Sequence, residues 1–201
     1  MSKTVSTMIH LRKQRATSLV AVLSLATALI GTSKVVANDN IECEGTIGAV
    51  DTGSVIVPDG EICTLDGTDV QGDVTVESGA TLISDGASVE NNIQGESAYK
   101  VILKPGTVVQ GNVQLQKGLD GGEIIIDQAD IGGGLQLQDN LSSVSVSDSD
   151  IGGDMQVKNN DGGTEIVSNT IGNNLQCQDN DPAPTGGGNT ADQKQGQCEN
   201  L

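Results

Sequence analysis

Residues 131–140, IGGGLQLQDN, return twenty positions later as IGGDMQVKNN from Ile151 and again as IGNNLQCQDN from Ile171. A fixed period of this length is the signature of a solenoid, in which each repeat buries its apolar face only by stacking on its neighbours. The register extends backwards. Val70, Val89, Val109, Ile131, Ile151 and Ile171 mark one corner on successive coils, at spacings of 19, 20, 22, 20 and 20 residues. After each corner comes alternation, as in Val74-Thr-Val76, Val113-Gln-Leu115, Leu135-Gln-Leu137, Met155-Gln-Val157 and Leu175-Gln-Cys177. A period of two means one buried and one exposed face, so these segments are predicted strands. A second strand per coil reads Val101-Ile-Leu103, Ile124-Ile-Ile126, Val144-Ser-Val146 and Thr164-Glu-Ile166, with Gly, Asn and Asp turns between.

Short, evenly spaced strands also suit an antiparallel sandwich. The close similarity of the repeats argues against it, since equivalent positions recur once per coil of three short strands. Stacking places Val70 to Ile171 in one inward column, Gln114, Gln136, Gln156 and Gln176 in an outward ladder, and Asn140, Asn160 and Asn180 in a third column at a turn. The predicted fold is all-β, a right-handed single-stranded parallel β-helix of about seven coils of about 20 residues. Its repeats run from 54 to 180, between an amino-terminal cap at 38–53 and a carboxy-terminal cap at 181–201. The interior must be narrow and layered, because beyond residue 37 there is no Phe or Trp and Tyr99 is the single aromatic residue.

Residues 1–37 have the character of a signal peptide. Lys3, Arg12, Lys13 and Arg15 form a basic region, Ser18–Ile30 an apolar one, and Val35-Val-Ala37 a processing site. The apolar stretch is short for a membrane span, so export with cleavage after Ala37 is expected, and stable membrane insertion is not. All 27 acidic residues lie beyond that site with only five lysines and no Arg or His, a net charge of −22. Such a surface repels nucleic acid and anionic lipid and stays soluble.

Cys43 and Cys63 are 20 residues apart, and Cys177 and Cys198 are 21 apart. One coil of separation brings the partners of each pair onto adjacent layers, at a distance a disulfide tolerates. The other two connectivities would have to bridge most of the rod. Pairings 43–63 and 177–198 are therefore predicted, and an exported protein meets the oxidising conditions they need. Metal ligation has no Cys-x-x-Cys spacing to support it.

The runs VQGDVTVESGATLISDGASV and VQGNVQLQ, with their turns, resemble the bactofilin-type, polymer-forming β-helices of bacteria. The closing segment IGNNLQCQDNDPAPTGGGNTADQKQGQC resembles the ending of a group of exported bacterial proteins of unknown role. The first resemblance covers residues 54–180 and implies a scaffold that polymerises end to end; the bactofilins are cytoplasmic, whereas this chain carries an export signal.

Polysaccharide-cleaving enzymes share this architecture. Lyases of that kind rely on a basic residue with Ca²⁺, and hydrolases on close carboxylates in a cleft. Asp127, Asp130, Asp148 and Asp150 cluster over two coils and are the catalytic candidates, although Asp at a turn ordinarily caps it or stays solvated. The same four, with Asp139, Asp154, Asp161 and Asp179, supply hard oxygen ligands for weak Ca²⁺ association. They do not match the Ca²⁺-binding nonapeptide pattern, so no cofactor is expected. The sequence thus points to a secreted, non-catalytic structural or interaction module, whose partner is an envelope or matrix component or a second copy. A polysaccharide-active enzyme and a weak Ca²⁺-dependent adhesion protein are the alternatives.

Overall fold

A computed structural model describes residues 40–201; the expected signal peptide and its processing site lie outside these residues. Among them the chain is a parallel β-solenoid without helix, about eight turns of about 20 residues. Each turn visits three sheets once. The first sheet has nine strands, from Ile41–Glu42 to Gln193–Gly196, and the second has eight, from Gly45–Ile47 to Thr185–Gly187. The third has seven strands of two residues each, from Asp51–Thr52 to Thr170–Ile171. Every strand pairs in parallel with its counterpart one turn away. The turn count exceeds the expected seven because both terminal segments join the sheets. Ile41 pairs with Val55, Gly45 with Cys63 and Asp51 with Asp69, so residues 41–52 already form a turn.

The interior follows from alternation. The corner column Val70, Val89, Val109, Ile131, Ile151 and Ile171 is buried throughout. On the first sheet Val74, Ile93, Val113, Leu135, Met155 and Leu175 stack in register, and Leu82, Val101, Ile124 and Val144 do so on the second. Each fully buried aliphatic side chain contributes about 1.5–3 kcal/mol, which a narrow interior collects without aromatic residues.

Polar ladders hold the corners. Lys117, Asp139, Asn159 and Asp179 have left-handed φ of 53–56°, and this turns the next residue inward. Asn140, Asn160 and Asn180 therefore lie inside, with Asn140 and Asn160 fully buried. The backbone N–H and Nδ2 of Asn140 donate to Oδ1 of Asn160 at 3.1 and 2.7 Å, and Asn160 repeats this to Asn180 at 3.1 and 2.9 Å. Each Nδ2 also reaches a backbone carbonyl, that of Leu115, Leu137 or Val157. A second buried ladder runs through Ser149, Asn169 and Asn189 at the next corner. At the third corner the chains pass so closely that a methyl group on Gly152 would collide with the Gly132 carbonyl oxygen.

Cys43 is joined to Cys63 and Cys177 to Cys198, with Cα separations of 5.4 and 5.2 Å. At the carboxy-terminal end Lys194 stands in register with Leu175, in a position that is apolar on the preceding turns. Its Nζ donates to backbone oxygens of Leu201 (2.6 Å) and Asn189 (3.2 Å). The interior column thus ends on a half-buried, hydrogen-bonded charge.

Candidate functional site

The outward positions of the first sheet form the most regular surface of the protein. The register aligns Gln94, Gln114, Gln136, Gln156, Gln176 and Gln195 in one row. Two residues along each strand lies a second row: Glu96, Gln116, Gln138, Lys158 and Gln178. These eleven positions hold nine of the chain's 15 glutamines. Four of them, Gln114, Gln136, Gln156 and Gln176, follow from the sequence repeat alone. The second row is visible in VQLQ, LQLQ and LQCQ as the second Gln of each motif, and Gln94 and Gln195 emerge only once the register is extended to the less similar end turns.

Strand geometry sets the dimensions of this surface. Neighbouring turns repeat at about 4.8 Å, and outward residues along one strand are separated by about 7 Å. The rows therefore make a grid of amides on a rigid hydrogen-bonded backbone. Within the grid Nε2 of Gln136 donates to Oε1 of Gln138 at 3.1 Å, and Nε2 of Gln138 donates to Oδ2 of Asp139 at 3.1 Å. Among the described residues the amides of Gln94, Gln114, Gln116, Gln156, Gln176 and Gln178 make no protein hydrogen bond. This contrasts with the buried Asn ladders, whose amide groups are engaged along the axis.

Two shallow, open depressions flank the rows. One runs over Thr75, Gln94, Gln114, Glu96 and Gln116; the other over Gln114, Gln136, Gln156, Asn112 and Asp154. Gln114 belongs to both, so they are continuous across the face. Besides the amides, Asp59, Glu77 and Glu96 line the first depression and Asp154 the second. Glu96 is neutralised by Lys117, whose Nζ lies 2.6 Å from its Oε1. That hydrogen bond and the opposite charge hold the Glu96 carboxyl below the usual carboxylate range and the Lys117 ammonium above its own.

The acidic candidates are arranged differently. Asp127 ends a strand of the second sheet and accepts a hydrogen bond from Ser147 Oγ at 2.9 Å. Asp148 lies at a left-handed corner with φ 48°. Asp130 and Asp150 are paired neighbours on the third sheet, exposed and side by side. The structure brings these last two together and leaves the first two on other surfaces. None of the four lines the depressions along the glutamine face. Asp139, Asp154, Asp161 and Asp179 are distributed over the corners, and no group of three or more potential metal ligands forms among the described residues. No helix among these residues is long and apolar enough to cross a membrane.

Compared with known protein families, curated proteins and solved structures, the chain matches none.

Proposed function

We propose that this protein is an exported, non-catalytic structural or interaction module of the bacterial envelope or extracellular matrix, making its contacts through repeated outer faces. The observation that carries this reading is the glutamine grid: nine amides, most with free hydrogen-bonding capacity, presented at a fixed spacing by a stapled scaffold. Amides do not supply a general acid, a base or a nucleophile, but they do bind. The two disulfides fit an oxidising compartment, and the resemblance of the rungs to those of polymer-forming β-helices supports a scaffold role.

The test is co-sedimentation of the secreted protein with insoluble envelope and matrix material, alongside turnover assays on neutral and acidic glycans. Retention without turnover is the expected result. Glycan cleavage that is lost in a D127A/D130A/D148A/D150A variant would replace this reading with the enzymatic one. Intact mass of the secreted protein should place its first residue at or near Asn38, and material that retains residues 1–37 would refute the cleaved signal peptide.

A further inference from the structure

We propose that the glutamine grid binds a neutral, extended, β-linked polysaccharide laid along the solenoid axis. This rests on the interaction-module reading and names its ligand.

Chemistry selects the ligand class first. A Gln amide offers two donors and an acceptor oxygen, and a sugar hydroxyl likewise both donates and accepts. The two can therefore pair in several orientations without a charge on either side. An anionic polymer would be repelled by the net charge of −22 beyond residue 37. A cationic one would be drawn to the paired carboxylates Asp51/Asp69 and Asp130/Asp150 on the third sheet rather than to the amides. Of the grid's eleven members only Glu96 and Lys158 are ionic, and they are of opposite sign; Asp59, Glu77 and Asp154 lie at its borders.

Spacing selects the geometry. An extended β-1,4-linked glycan advances by roughly one strand spacing of ~4.8 Å per sugar with alternate sugars turned over, so each turn's amides would meet hydroxyls from one edge or the other of successive sugars. A peptide strand advancing by about 3.4 Å per residue would fall out of step with the ~4.8 Å period. The flanking depressions give the chain a shallow bed. The sole aromatic residue, Tyr99, lies past the corner that ends the grid strand Ile93–Glu96 and outside both rows, so binding relies on many hydrogen bonds rather than on stacking. A second copy of the chain is the competing occupant, because amide rows are also self-complementary. The strip is too small for it: six turns by one four-residue strand cover roughly 400 Å², well under the ~800 Å² per partner of a stable interface.

The experiment titrates the secreted protein with β-1,4-linked gluco-oligosaccharides of two to eight units, using calorimetry and amide chemical shifts. Polygalacturonate serves as the anionic comparison. Affinity should increase with each sugar up to about six, one per turn from Gln94 to Gln195, and then level off; polygalacturonate should not bind. A Q136A/Q156A/Q176A variant should lose at least tenfold in affinity, the single Gln156→Ala less, and D130N/D150N nothing. The proposal is overturned if wild type binds none of the oligosaccharides, if the triple variant binds them equally well, or if shifts on this face arise only from concentration-dependent dimerisation. Failure to bind while co-sedimentation with envelope material persists would remove the ligand and leave the module. Binding accompanied by cleavage would do the reverse.

Discussion

Gln197 completes the ladder that Asn180 begins to close. Its Oε1 accepts from the backbone N–H of Asn180 at 3.0 Å and from Nδ2 at 2.9 Å, and its own Nε2 donates to the Asn180 carbonyl at 2.9 Å. On the earlier turns an Asn takes that place. Here the longer side chain reaches in from the carboxy-terminal segment, so the buried amides have a partner at the end of the stack.

Removing a middle member should therefore cost more than one ordinary hydrogen bond. Asn160→Ala leaves the backbone N–H and Nδ2 of Asn140 without an acceptor and the Leu137 carbonyl without its amide donor. A loss of about 2–4 kcal/mol is expected, from a buried donor or acceptor worth roughly 1–3 kcal/mol when stranded. Chemical denaturation would measure it, with Asn174→Ala, at the half-buried third corner, as the milder comparison.

Cys198→Ser should release the carboxy-terminal segment. In the chain-entropy model a loop of this length is worth about 3 kcal/mol, and the segment's Gly- and Pro-containing sequence has little apolar surface to replace it. Limited proteolysis is expected to cut first between 181 and 197 while the preceding turns persist. Peptide mapping without reductant should recover 43–63 and 177–198 from the native protein, and a link from Cys43 to Cys177 or Cys198 would contradict the register.

Thr164→Val should stabilise the protein. Thr164 takes an inward position in register with Val144, and its buried hydroxyl has no hydrogen-bond partner. An isosteric methyl removes that desolvation penalty, for a gain of about 1–2 kcal/mol by the same reasoning. An unchanged or lower midpoint in urea would contradict the assignment.

The Glu96–Lys117 pair predicts a pH dependence. The Glu96 carboxyl titrates below its usual range when folded, so its contribution is present above the unfolded value and lost as pH falls through the lowered one. Lys117 titrates above its usual range, so its contribution is present below the unfolded value and lost as pH rises through the raised one. The melting temperature difference between wild type and Lys117→Gln should be small, because the pair is exposed. It should be present at neutral pH, shrink in acid and shrink again in strong alkali.

The parts of the fold legible in the sequence are those where one residue type repeats at one position. Val70 to Ile171 and Asn140, Asn160 and Asn180 announce their columns because burial and the left-handed corner allow few substitutes. The ladder through Ser149, Asn169 and Asn189 is less visible, since that inward corner accepts short side chains of either kind, Ala129 standing one turn before Ser149. Thr107 fills it two turns earlier by bonding to Ser84. Residues 41–52 fall within the cap expected at 38–53 because their inward positions are weakly apolar, although backbone pairing alone suffices to make them a turn. The glutamine grid was half legible. A ladder of four Gln follows from the repeat, whereas its second row requires knowing that positions two apart on one strand share a face with the strand above.

A charged side chain at the end of the interior column also bears on how such a rod can change in length. With Lys194 where an aliphatic residue would stand, the last layer is a poor template for another copy of the chain. Extension within the chain meets no such obstacle. Duplicating residues 131–150 would set a new Ile, a new pair of Gln and a new Asn into their existing columns and leave both disulfides untouched. The reach of the amide surface is then counted in whole turns, each one a unit of about twenty codons.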